Sequence, residues 1–97
     1  MMDFKAFRAS LSHHYPGEEL PPHLRALWFD AKGNWENAHH CVDSLSDQAA
    51  SHVHAYLHRK EGDIWNADYW YRRAGKSRPT YDLDEEWETL VRHYLQT

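Results

Sequence analysis

Cysteine occurs once in the 97 residues, at Cys41, which excludes an internal disulfide and a thiolate metal cluster. A reducing compartment fits that usage. No stretch approaches the roughly 18 apolar residues of a membrane span. The opening Met1-Met2-Asp3-Phe4-Lys5 leads into a charged amphipathic stretch, with no basic region followed by an apolar segment of signal-peptide length. The expectation is a soluble, cytoplasmic protein. Basic excess is also missing: 11 Lys+Arg stand against 15 Asp+Glu, a net charge of -4, so nucleic acid is not an expected partner. The chain has no glycine-rich phosphate loop, no Gly-x-Ser-x-Gly elbow and no serine beside a recognisable His/Asp set. Catalysis therefore has no motif to speak for it, and enzyme activity is left open.

What is abundant is ring surface. Aromatics make up 14% of the chain, with five Trp and six Tyr, and 41% is apolar, too much for a disordered segment. The length is that of one domain. Scaling of surface with mass gives roughly 5,800 Å² exposed when folded against about 17,000 Å² unfolded, enough burial for a core without disulfide or metal. Nine histidines would carry the net charge from -4 to about +5 near pH 5. Cys41 falls among apolar helix neighbours, where a small buried thiol is expected.

Self-comparison of the sequence finds a repeat. The segment from Leu27 to Ala38 lies over Tyr56 to Ala67 at a constant offset of 29, matching Gly33 to Gly62, Asn34 to Asp63, and Asn37-Ala38 to Asn66-Ala67. Each glycine suits the left-handed residue that ends a helix, and each Asn or Asp suits the N-cap of the next. Two helix hairpins follow, repeat 1 over about 22–46 and repeat 2 over about 48–79. Leu24, Leu27, Trp28 and Ala31 share one stripe, and Trp35, Ala38, Val42 and Leu45 another. Pro22 opens the first helix, Gly75 stops the last of the four, and Pro79 prevents its resumption. Asp3 can cap a short helix carrying Phe4, Phe7 and Leu11. Asp82 with Glu85 forms a capping box for a helix over about 83–96, whose stripe is Trp87, Leu90, Val91, Tyr94 and Leu95. This last helix is expected to cap the open side of the second hairpin. The reading is a single all-α domain of six helices and no strands.

The hairpin pattern resembles the tetratricopeptide family. Ala55, Gly62, Ala67, Tyr71, Ala74 and Pro79 fall at that pattern's small, aromatic and closing proline positions, and Ala26, Phe29, Gly33 and Ala38 match in the first unit. Val42 and Leu45 replace its aromatic and small residues, and the offset falls short of the family's usual 34. The stretch His54 to Gly75 is also similar to small bacterial and fungal proteins to which no activity attaches. The tetratricopeptide resemblance implies ligand contacts on the inner face of each first helix: His23, Leu27 and Asp30 in unit one, His52, Tyr56 and Arg59 in unit two. Such a face can hold a carboxylate or a peptide segment. The alternative is a solvated face with Tyr56 covered by the N-terminal helix.

A second constellation is histidine. His54 and His58 stand at i, i+4, which points two imidazoles the same way, with Glu61 a turn further on and His39 and His40 on the neighbouring helix. They can seat a divalent transition metal, or be structural histidines bonded to Asn66 or to a backbone carbonyl. The missing Glu of a His-Glu-x-x-His motif speaks against zinc hydrolysis. Asn37 and Asn66, at equivalent sites, suggest a repeated hydrogen bond to an adjoining helix or loop. Arg72, Arg73, Lys76 and Arg78 form a basic run that the acids of 82–88 are expected to neutralise. The leading expectation is a non-catalytic module, needing no cofactor, that binds a protein or peptide partner through His52, Tyr56 and Arg59, with a homodimer as a possible form. The rival is a metal- or small-molecule-binding helical protein, or an enzyme, built on the histidines.

Overall fold

The computed structural model describes residues 2–96, and among them there are six α-helices, one 3-10 turn and no strand. The helices are α1 Phe4–Ala9, α2 Pro22–Ala31, α3 Trp35–Val42, α4 Gln48–Lys60, α5 Ile64–Arg73 and α6 Leu83–Leu95, with the 3-10 turn Ser10–Ser12 after α1. Side-chain caps set most of their starts. Asp3, Asn34, Asp47, Asp63 and Asp82 each accept a hydrogen bond from the backbone N–H three residues on. The Asn37 and Asn66 amides that complete two of these caps are backbone groups; the Asn66 side chain turns back to Asp63 and reaches no adjoining helix.

Gly33 and Gly62 have φ of +79° and +86°, the left-handed conformation that L side chains avoid. Their turns are alike to the bond: Asn34 N–H donates to Phe29 O and Asp63 N–H to His58 O, both at 2.9 Å. The turns lay α3 back on α2 and α5 back on α4, and α3 also packs on α4. Trp35 ties that last contact by donating its indole N–H to Leu57 O at 2.9 Å.

α6 lies on the second hairpin through α4, and it extends beyond that hairpin across α2 and α1. The reason lies in what those helices offer. Phe4 and Phe7 present rings to Trp87 at 6.0 and 6.1 Å, and Leu27 O accepts the Trp87 indole N–H at 2.9 Å. Leu90 and Val91 complete a core that includes Phe7, Leu24, Leu27, Trp28, Val53 and Leu57. The accessible surface, 5884 Å², is that of a folded chain of this mass, with α1 and α6 contributing Phe7, Leu90, Val91 and Tyr94 to the core.

Candidate functional site

The face expected to meet a partner lies beneath α6. Tyr56 is buried and donates its hydroxyl to Asp30 Oδ2 at 2.7 Å, while Lys60 Nζ reaches Asp30 Oδ1 at 2.9 Å. Asp30 itself is only 3% exposed. Burial, then the Asp30 charge, push the Tyr56 phenol far above its ordinary range, so it stays a donor. Arg59 Nη1 pairs with Glu86 Oε1 at 2.7 Å and Nη2 bonds Tyr81 O at 2.5 Å. His52 Nδ1 is 2.8 Å from the Tyr94 hydroxyl, and His23 packs edge-on to the Tyr94 ring at 5.1 Å. His52, Tyr56, Arg59, His23, Leu27 and Asp30 thus sit on one side of the molecule, as the spacing implied. His23, His52 and Arg59 are engaged with α6 or the segment before it and remain partly exposed, whereas Tyr56 and Asp30 are buried and bonded to each other. The cover over Tyr56 differs too, because α6 shares with α1 the task expected of α1 alone: Trp87 and Asp84 of α6 and Arg8 of α1 line the cleft of about 420 Å³ beside it.

The basic run is neutralised differently than expected. Arg78 pairs with Asp68 of α5 at 2.8 Å and Arg73 lies over the rings of Tyr69 and Trp70, while Glu86 is taken by Arg59. Cys41 is half-buried, and burial raises its thiol pKa.

The histidines come together. His39 of α3 and His54 and His58 of α4 each offer a ring nitrogen, all within 4.8 Å of one another. His39 Nε2 and His54 Nε2 are 3.0 Å apart. Two indoles bracket the group: Trp35 stacks on His39 at 4.9 Å and Trp70 on His54 at 4.1 Å between ring centres. His58 Nδ1 is held by Glu61 Oε1 at 2.6 Å, and Asp43 stands 3.9 Å from His39 Nδ1. His54 is 4% exposed and its Nδ1 has no hydrogen-bond partner. His40, by contrast, is exposed, with Nδ1 3.4 Å from Asp43, and does not join the three.

Burial, and then the neighbouring His58 and His39, bring the His54 pKa down to about 4. Burial and His58 also lower His39. Near neutral pH His54 is therefore uncharged, with a lone pair available. The i, i+4 spacing already pointed to His54 and His58, but His39 joins them only through the packing of α3 on α4. Nothing in local sequence distinguishes it from His40.

Comparisons with models of protein families, with curated proteins and with solved structures found no match, so the site is read from its own geometry.

Proposed function

We propose that this is a metal-binding helical protein in which His39, His54 and His58 hold one divalent transition ion. The observation that carries the reading is the convergence of three imidazole nitrogens from two helices, all within 4.8 Å of one another. A tetrahedral zinc with bonds of about 2.0–2.1 Å sets its nitrogens about 3.3 Å apart. The 3.0 Å between His39 and His54 needs only a few tenths of an ångström of opening. Glu61, at 2.6 Å from His58 Nδ1, is placed as the carboxylate that orients a ligand histidine, which leaves His58 Nε2 to coordinate. An all-imidazole set suits zinc, copper or nickel over magnesium or calcium.

The test is zinc titration of metal-stripped protein by calorimetry, with retained metal counted by elemental mass spectrometry. One ion per chain is expected, lost in His54→Gln and in His58→Gln and kept in His40→Gln. Failure of the wild-type chain to retain an ion, or equal binding by all three variants, overturns the reading.

A second reading, self-association, is favoured by one observation. Trp65 is 80% exposed on α5, beside partly exposed Ile64 and Tyr69, on the helix face that α6 leaves uncovered. Sedimentation over a concentration series with Trp65→Ser tests it. A mass that rises with concentration in the parent and not in the variant is the expected result, and a monomer throughout refutes it.

A further inference from the structure

A cleft of about 270 Å³ lies between α4, α6 and the segment 76–81, away from the three histidines. Its polar lining is nearly all donor: the Lys76 ammonium, the His52 and His93 imidazoles, and the Ser77 and Thr89 hydroxyls. Among the described residues Lys76 has no ion pair, and the side chains of Ser77, Thr89 and Lys76 make no hydrogen bond. The carboxylate in the wall, Glu86, is 1% exposed and is already spoken for. Arg59 Nη1 takes one oxygen at 2.7 Å and the Tyr71 hydroxyl the other at 2.6 Å, so Glu86 does not balance Lys76.

His52 engages Tyr94 through Nδ1, which leaves Nε2 as the nitrogen available to the cleft. The chain as a whole carries -4, so a concave cluster of donors around an unpaired ammonium runs against its own background. Five donor groups are more than the two oxygens of a carboxylate can use. They suit the three terminal oxygens and double charge of a phosphate group. Pro79, Tyr81 and Leu90 supply an apolar wall beside them.

We propose that this cleft binds a phosphate group, gripped by Lys76, Ser77, Thr89 and the ring N–H groups of His52 and His93. The binding is independent of the metal reading and involves no bond made or broken. Free phosphate and the phosphate of a small monoester share this chemistry, and the apolar wall distinguishes them.

The experiment is a titration of the ¹⁵N-labelled full chain with inorganic phosphate, and separately with phenyl phosphate, against sodium chloride at matched ionic strength. Saturable shifts are expected at the amides of Lys76, Ser77, Thr89 and His93 with phosphate and not with chloride. Affinity should fall about tenfold in Lys76→Ala, as for loss of one charge-assisted contact. Lys76 is exposed, so that variant is expected to fold, and a dispersed spectrum checks it. Thr89→Val should weaken binding less. His54→Gln should leave it unchanged, which separates this site from the metal site. Tighter binding of phenyl phosphate assigns a monoester, and equal or weaker binding assigns free phosphate. Shifts that fail to saturate, that chloride reproduces, or that Lys76→Ala leaves unaltered overturn the proposal.

Discussion

Glu86→Gln is the sharpest perturbation of the way α6 is anchored. The carboxylate is fully buried, and its two oxygens are held by Arg59 at 2.7 Å and by the Tyr71 hydroxyl at 2.6 Å. An amide of the same shape keeps one acceptor and turns the other oxygen into a donor facing a donor. Breaking a buried ion pair from one side costs about 3–5 kcal/mol. The hydrogen bond that survives returns about 1 kcal/mol, leaving a loss of about 2–4 kcal/mol. For a domain of this size each kcal/mol moves the midpoint by about 4–8 °C, so Tm should drop by about 8–32 °C. Urea and thermal melts followed by far-ultraviolet circular dichroism read it directly. Replacing both partners, Arg59→Met with Glu86→Leu, should recover most of the loss, because no charge is then stranded. A drop under about 1 kcal/mol in Glu86→Gln would refute the reasoning, since the pair would then be screened by water that the structure does not admit.

Acid should weaken the fold through two histidines. His52 and His54 titrate at about 4 in the folded chain against 6.5 when unfolded, so the unfolded state binds more protons between those values and stability falls as pH drops below about 6.5. Each contributes up to about 2 kcal/mol of that loss at pH 5, less whatever solvent screens, and the urea midpoint at pH 5 against pH 7.5 measures it; an unchanged midpoint would contradict the burial of both rings. Free zinc at about 100 times its dissociation constant should add about 2.7 kcal/mol of stability, reversed by chelator, and copper should quench the fluorescence of Trp35 and Trp70, which stack on two of the ligands. Gly62→Ala, forced to φ near +86°, should cost about 1–2 kcal/mol although its Cβ meets nothing, and a neutral result in the same melt would show that the turn relaxes.

The helices were legible because their signals are local. Gly33-Asn34 and Gly62-Asp63 mark a left-handed stop and a cap start within two residues, and the structure places both turns there. Asp3 and Asp82 announce α1 and α6 in the same way. The stripe of Trp87, Leu90, Val91 and Tyr94 shows that α6 has an apolar face, but an apolar face does not name its partner. What directs α6 onto α1, α2 and α4 is long-range: the Phe4 and Phe7 rings, the Leu27 carbonyl, and the Arg59–Tyr71 pair awaiting Glu86. For the same reason Arg59 and Tyr56 could be assigned to one helix face but not to the interior. Half of the histidine cluster followed from i, i+4 spacing. The choice of His39 over His40 needed the register of α3 on α4.

The Trp87 indole donates to the Leu27 carbonyl across 60 positions of chain. During synthesis α2 and α4 leave the ribosome well before the helix that covers them, so Leu27 and Tyr56 remain wet until α6 has emerged. Premature termination anywhere before Trp87 would yield a nascent chain with formed caps and an open seam, suited to chaperone capture and to proteolysis. Final closure waits on the emergence of α6, and its speed is set by how quickly a tethered amphipathic helix finds its groove.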